Sequence, residues 1–272
     1  MFKPKKQLIM DSEISYWHQL ADLATVWAKE MGKIHLSYFR GNHLDIELKG
    51  SINDVVTAAD KTSEKYFIEQ VSQHCPNHSI LGEESGLHSG KSDYCWVVDP
   101  LDGTTNFSQG LPIFSVSIGL QYKGETILGI VYAPYLDELY TAIKGEGSLL
   151  NGKSIHVSTK KELGPSVLTT GFPCDKDTNP DNNLTEVSRI LPQVRGIRRY
   201  GSAAYDLCSV AAGFFDGYWE PNLHLWDVCA GILIVQEAGG KAQQYRHDRG
   251  ISLLAANPDL FKQIEQNLIP SK

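Results

Sequence analysis

The chain has 272 residues, 42% of them hydrophobic, and carries a formal net charge of −7 with a sequence pI near 5.7. That length closes one sizeable core, burying roughly 75% of the surface the unfolded chain exposes, or divides into two fused subdomains. The acid excess argues against a broad nucleic-acid face, which needs clustered Lys and Arg, so direct nucleic-acid binding is not expected and only a local basic patch stays open.

The opening MFKPKKQLIMDSE is basic, but only Leu8, Ile9 and Met10 are apolar before acids intervene, too short a run for a signal peptide. From Ser12 to about Phe39, the residues Trp17, Leu20, Ala21, Ala24, Ala28 and Met31 recur at helical spacing and predict a long amphipathic helix. A second helix is expected in TAADKTSEKYFIEQVSQHC, with Thr57 and Asp60 at capping-box spacing. SILGEE and YCWVVDP read as buried strands, and FSVSIGLQYKGETILGIVYAP as two strands turned at Lys123-Gly124, so sheet dominates from 79 to about 157.

Beyond Pro165, helices and strands alternate: a strand at Val167 to Thr170, a helix near Leu184 to Leu191 and a strand at Ile197 to Tyr200. Ser202 reads as the cap of a helix to Ala212, Asp216 to Glu220 as a short strand, and Trp226 to Ala238 as a helix closed by Gly239 and Gly240. Asn257 with Pro258 opens the last helix. The turn-rich stretch NGKSIHVSTKKELGP places a boundary at 155/156 between two subdomains. The longest apolar run, Val228 to Val235, falls far short of the ~20 residues that span a bilayer. Five cysteines, Cys75, Cys95, Cys174, Cys208 and Cys229, are odd in number and form no CxxC pair, which reads as reduced thiols in a soluble, cytoplasmic protein.

The stretch WVVDPLDGTTN, residues 96 to 106, carries the chemistry. A strand ending in Asp99-Pro100 sets a carboxylate at the carboxyl edge of a sheet, where ligands bind. Asp102 follows across a tight turn, and Gly103 lets the amides of Gly103 and Thr104 approach an anion closely. Acids that attract cations beside amides that attract anions suit a metal-bridged phosphate, although a lone Asp-Gly pair is more often a solvated turn. Three further acids, Glu83, Glu84 and Asp227, end a strand or start a helix, where each has a plain structural reading as well. If Glu83, Asp99, Asp102 and Asp227 converge, two carboxylates about 4 Å apart repel by roughly 4 kcal/mol at an effective dielectric of 20, and a cation is required. All-oxygen ligands without His or Cys point to Mg2+ or Mn2+ rather than zinc. His224, three residues before Asp227, reads as packing.

GEES at 82 to 85, DPLDGTTNF at 99 to 107 and WDVCAG at 226 to 231 resemble the three motifs of the inositol monophosphatase family of Mg2+-dependent, lithium-sensitive phosphatases. The likeness extends from Trp17 to the last helix and includes DVVTAAD at 54 to 60, GSAAYDL at 201 to 207 and EAGG at 237 to 240. The resemblance implies a layered α-β fold, an αβαβα sandwich, and a homodimer. Residues 1–155 would carry most metal ligands, and residues 156–272 would supply Asp227 and the substrate pocket. It implies that Glu83, Asp99 and the Leu101 carbonyl hold one Mg2+, that Asp99, Asp102 and Asp227 hold a second, and that Glu83 with waters holds a weaker third; Mn2+ is a possible substitute.

The amides of Gly103 and Thr104 would hold the phosphate, while the Thr104 hydroxyl and Asp60 would orient and deprotonate the attacking water beside Glu83. Asp60 also has the alternative of capping a helix that starts near Thr62. Ala203, Glu220 and Asp227 would line the substrate side. Phosphate monoesters need up to about 10²¹-fold acceleration and a general base gives typically 10²–10⁴, so metals must carry most of it.

The implied reaction is hydrolysis of an inositol monophosphate, a small phosphorylated polyol, to inositol and phosphate. Relatives that act on nucleotide bisphosphates or histidinol phosphate often carry Lys after the DGT, where this chain has Thr105-Asn106. Pro221 and Asn222 depart from the small or glycine-containing turn usual after the pocket acid. The alternatives are another small ester, such as fructose 1,6-bisphosphate, histidinol phosphate or a nucleotide 3′-phosphate, or a transcription-associated regulatory role.

Overall fold

The computed structural model describes the backbone of residues 5–41, 45–49 and 55–269, with side chains from residue 13 onward. The start of the basic N-terminal stretch and Asp54 of the 54 to 60 motif lie outside the described residues. Helix α1 (Lys5–Tyr38) is followed by the short pair β1 (Glu47–Leu48) and β2 (Val55–Val56), then by α2 (Ala58–His74). The larger sheet takes β3 (Ser79–Gly82), β4 (Gly86–His88), β5 (Tyr94–Asp102), β6 (Ser115–Tyr122), β7 (Glu125–Ala133), β8 (Glu138–Ile143), β9 (Ser148–Leu150) and β10 (Lys153–Ser154). A single-turn α3 (Thr104–Ser108) interrupts it after β5. The smaller sheet is built from β11 (Val167–Thr170), β12 (Gly196–Arg198), β13 (Gly217–Leu223), β14 (Lys241–Arg246) and β15 (Ile251–Ala256). Its helices are α4 (Leu184–Ile190), α5 (Ala203–Ala211), α6 (Leu225–Glu237) and α7 (Pro258–Leu268).

Side-chain alternation sorts these elements into five layers. On β7, Leu128 and Ile130 face Leu20, Ala24 and Trp27 of α1, while Val131 and Ala133 face the opposite core with Leu207 of α5 and Leu233 of α6. On β15, Leu253 and Ala255 join that same central core, while Leu254 and Ala256 face Leu260, Phe261 and Ile264 of α7. The period of two along each strand therefore puts α1 and α2 outside the larger sheet, α5 and α6 between the sheets, and α4 and α7 outside the smaller one, an αβαβα sandwich.

The sheet orders are β10-β9-β8-β7-β6-β5-β3-β4 and β12-β11-β13-β15-β14. Pairing in the larger sheet is antiparallel except for β3 beside β5, which run parallel with Gly82 opposite Val98. That exception brings the carboxyl ends of two strands side by side, and the GEES and DPLDG motifs with them. Helix α6 lies almost on the backbone of the larger sheet. Gly119 and Gly129 are paired across β6 and β7, and a Cβ on them would come 2.4 Å from Cys229 Sγ and 2.7 Å from the Ala230 carbonyl. No side chain larger than hydrogen fits under the helix there.

Most elements lie where the periodicity predicts them. The second helix starts at Ala58 rather than near Thr62, and the expected strand at 216 to 220 runs on to Leu223 as β13. Pro221 reads as a stop, but the register shifts between Glu220 and Leu223, and this bulge frees proline from a ladder bond. The hairpin β14–β15, the pair β1–β2 and α3 carry no signal used above.

His35 of α1 is fully buried against Phe107 and Phe114, with ring centroids 6.2 and 6.1 Å away, and neither ring nitrogen has a well-formed hydrogen bond. Burial pushes its pKa down to about 3, opposed only by the nearby Pro100 carbonyl. The unfolded chain takes up this proton near pH 6.5 and the folded chain does not. Stability from His35 is therefore complete above pH 6.5 and falls by about 1.4 kcal/mol per pH unit below it, down to about pH 3. Chemical unfolding of wild type and His35→Phe between pH 6.5 and 5 should differ in slope by about that amount. Equal slopes would contradict it.

Candidate active site

Four segments meet at the carboxyl ends of β3 and β5. Strand β5 delivers Asp99, Leu101 and Asp102 at its end; Glu83 follows β3, and its amide donates to the Val98 carbonyl at 3.2 Å. Gly103 follows at φ 93 and ψ 33, a left-handed conformation. A Cβ there would meet the carbonyls of Ile113 and Gly201 at 3.1 and 3.2 Å, so only glycine suits the position. Thr104 opens α3, and its hydroxyl lies 3.0 Å from Asp60 Oδ1 and 2.9 Å from the Leu101 carbonyl. Asp60 is the third residue of α2, wholly buried, and its Oδ2 accepts from the Thr57 amide at 2.8 Å and hydroxyl at 2.6 Å in a capping box. It thus caps through one oxygen and faces Thr104 with the other.

Asp102 spans the two sheets. It accepts from Ser202 Oγ at 2.6 Å and from the amides of Ala203 and Ala204 at 3.2 and 2.8 Å. Ser202 holds the cap position of α5, as its sequence suggests, but its hydroxyl donates to Asp102 instead of accepting from the helix. A carboxylate from a distant strand takes over that task because its negative charge suits the helix N-terminus. Asp227 is the third residue of α6 and accepts from the His224 amide at 2.6 Å.

These acids crowd one another. Burial pushes the Asp99 carboxyl well above its ordinary range, and Glu83, Asp102 and Asp227 push it further. Burial likewise raises Asp102 against the pull of its three donors, and raises Asp227, with Glu83 and Asp102 adding to it. Each of the three is held in a site that disfavours its charge. Among the described residues, no three acidic, His or Cys side chains are gathered into a finished metal cage. Glu83 is engaged by Lys49, Asp102 by α5 and Asp227 by its own helix start. The donor set is nonetheless all oxygen, and its acids lie close enough to raise the Asp99 pKa, which fits a hard divalent cation.

The acids open into a cleft of about 470 Å3, lined by Glu83, Asp102, Asp227 and Lys49 and also by Arg199, Ala203, Glu220 and Asn222. Glu220 of β13 accepts from the Tyr218 hydroxyl at 2.8 Å; burial pushes its pKa up to about 7 against that bond and against Arg199. Asp60, Glu83, Asp99, Leu101, Asp102, Gly103, Thr104, Ala203, Glu220 and Asp227 thus fall in one region of the fold. His224, read as packing, is exposed at the cleft and stacks on Trp226 with ring centroids 4.8 Å apart.

Three contributors escape a reading of the sequence. Lys49 reaches Glu83 Oε1 at 2.8 Å and also bonds Glu84. Burial would lower its pKa, but the two glutamates raise it, while burial pushes Glu84 up to about 7 despite Lys49. Glu64 accepts from the amides of Glu84 and Ser85 at 2.9 and 2.8 Å and so shapes the GEES turn. Asn106 donates to the carbonyls of Ile113 and Tyr200 at 2.8 and 2.6 Å, tying the phosphate-side loop to the segment before α5. Glu64 alone leaves a trace in the sequence: with Asp60 it places two acids four apart on the buried face that carries Phe67 and Val71.

The model of the inositol monophosphatase family matches residues 17–265. The chain is 43% identical over 257 residues to "Nus factor SuhB" of Pasteurella multocida, covering 92% of this chain and 96% of that protein. It is 41% identical over 246 residues to "Inositol-1-monophosphatase" of Synechocystis, covering 90% and 84%. The crystal structure of extragenic suppressor protein suhB from Bartonella henselae superposes with a TM-score of 0.87 at 36% identity, over 93% of this chain and all of that one. An αβαβα sandwich that joins its acids at the ends of β3, β5 and α6, with a family match across nearly its whole length, makes this chain a member of the inositol monophosphatase family.

Proposed function

We propose that the chain is a Mg2+-dependent phosphomonoesterase that hydrolyses an inositol monophosphate to inositol and phosphate. The observation that carries this reading is Asp99, almost inaccessible and close enough to Glu83, Asp102 and Asp227 to feel their charge, while those three acids line the cleft. Glu83, Asp99, Asp102 and Asp227 with the Leu101 carbonyl would hold two to three ions, with Mn2+ as a substitute. Bound Mg2+ supplies Lewis acidity toward the attacking water and the leaving oxygen. Thr104 relays a proton from that water to Asp60, the amides of Gly103 and Thr104 hold the phosphate, and Glu220 and Ala203 meet the polyol. Residues 1–155 would supply most ligands and residues 156–272 Asp227 and the polyol wall, in a cytoplasmic homodimer. No helix among the described residues is long and apolar enough to cross a membrane.

Phosphate release from a panel of inositol 1-phosphate, fructose 1,6-bisphosphate, histidinol phosphate, a nucleotide 3′-phosphate and an aryl phosphate tests the reading. Inositol 1-phosphate should be preferred, excess chelator should abolish turnover and lithium should inhibit it. Full turnover in chelator would sink the metal assignment. Glu220→Gln should weaken use of inositol 1-phosphate by about 1 to 2 kcal/mol and leave the aryl phosphate nearly unaffected, because a carboxylate accepts from vicinal hydroxyls better than an amide does. Equal losses on both substrates would make Glu220 structural. A second reading, a transcription-associated role, draws on the relative named "Nus factor SuhB". Co-purification of RNA polymerase from cell extract, retained by an Asp99→Asn variant, would favour it.

A further inference from the structure

The cleft that the acids line is also lined by Phe172, Pro173 and Cys174, from the stretch between β11 and α4, and by Asn222 of β13. Residues 171–183 contain no helix or strand, so other groups must fix their path. At one end the buried Asn183 donates to the Thr170 hydroxyl at 2.8 Å and the Gly171 carbonyl at 2.6 Å, and accepts from the Trp219 indole at 2.7 Å. The middle is held by two arginines of the β14–β15 hairpin. Arg246 meets Asp181 as a fork, Nη1 to Oδ1 at 3.0 Å and Nη2 to Oδ2 at 2.5 Å. Arg249 donates to the Asp181 carbonyl at 2.6 Å and pairs with Asp175, the residue next to Cys174.

The same hairpin touches the other part of this lining. Gly250 sits at φ 48, and a Cβ on it would come 2.6 Å from Asn222 Oδ1 and 2.9 Å from Asn222 Cα. One short turn, residues 246–250, therefore bears on both of these pieces of the cleft lining. The Arg246 and Arg249 side chains are only 23% and 17% exposed, and planar guanidinium forks fix direction as well as distance. An ordinary surface pair adds little to stability, whereas a fork between two loops sets their separation.

We propose that Arg249 and Arg246 are positioning residues that hold the 172–174 wall at the distance the polyol half of the substrate requires. This rests on the reading of the cleft as a phosphomonoesterase site. Neither arginine touches the reacting atoms; each acts through Asp175 or Asp181. A substrate that spans the cleft with hydroxyls senses this wall, and a flat aryl phosphate anchored by its phosphate senses it little.

The test measures kcat and KM for myo-inositol 1-phosphate and p-nitrophenyl phosphate in wild type, Arg249→Met, Arg249→Lys and Asp175→Asn, with hydrogen exchange of the amides of residues 172–182. Arg249→Met should raise KM for inositol 1-phosphate about tenfold with kcat within about threefold, leave the aryl phosphate KM nearly unchanged, and speed exchange in that segment alone. Arg249→Lys, which keeps the charge without the fork, should fall between, and 0.5 M salt should move the wild type weakly in the same direction. A lower melting temperature with unchanged KM, or equal KM rises on both substrates, overturns the proposal. If wild type turns over neither substrate, the phosphatase reading fails, and unchanged exchange at 172–182 in Arg249→Met then overturns the clamp separately.

Discussion

Asp227→Asn should lower turnover at saturating Mg2+ by roughly 10³-fold, the equivalent of about 4 kcal/mol of lost transition-state stabilisation, and leave the melting temperature of the metal-free protein unchanged or higher. The two halves of this expectation have separate causes. On the proposed metal assignment, turnover would fall because a second cation would lose an anionic ligand where charge develops on the leaving oxygen. The fold survives because the substituted side-chain amide keeps an oxygen for the His224 backbone N–H, so the start of α6 stays capped. Stability gains because Asp227 is held with its pKa raised by burial, Glu83 and Asp102, so its charged form is a cost to the native state. Asp102→Asn should differ. Asp102 accepts from Ser202, Ala203 and Ala204, and an amide cannot accept at both ends, so the melting temperature should fall together with turnover. Calorimetry beside phosphate release separates the two variants, and near wild-type turnover in Asp227→Asn would remove that residue from the metal set.

Asp60→Asn and Thr104→Val should each reduce turnover by about 10²–10⁴, with the double variant losing little more than either, because residues that act as one unit are not additive. The structure makes Asp60→Asn a nearly shape-neutral change. The Asn oxygen can serve Thr57, while its amide turns to Thr104 Oγ1, whose hydroxyl then donates to the Leu101 carbonyl. The capping box survives, and what is lost is the one acceptor positioned to take a proton from the threonine. Normal turnover in Asp60→Asn would confine Asp60 to capping α2. A large fall at unchanged melting temperature would exclude capping as its sole role.

How much of this was legible beforehand depends on whether a feature is local. WVVDP reads as a strand that ends in an acid because the apolar run and the proline are contiguous, but β5 runs past Pro100 to Asp102, with a register shift between Asp99 and Asp102 in place of the expected turn. Thr57 and Asp60 declare the start of α2 for the same reason. The pairing of Asp60 with Thr104, 44 residues away, has no local signal and comes from the family resemblance, which sets it against capping where the structure shows both contacts. Ser202 misleads in a physical way: a serine before a helix reads as its cap, yet a carboxylate from β5 arrives with a full charge and outcompetes the hydroxyl. Lys49 has no local pattern at all, being one lysine in a polar loop until the fold brings it to Glu83. Pro221 argues against a strand, and only the bulge beside Asn222 shows how the sheet accommodates it.

The two glycines beneath α6 bear on how such a site changes over evolutionary time. A Cβ at Gly129 would meet the α6 backbone at Ala230 and one at Gly119 the Cys229 side chain, so a larger residue at Gly129 must shift the helix that carries Asp227, and this side of the cleft has little mutational slack. The 172–174 part of the cleft lining is held instead by loops and a hairpin tip, where sequence varies more freely. On the proposed assignment, a lineage could explore new phosphate esters by remodelling residues 172–175 and 246–250 while the packing beneath α6 stays as it is.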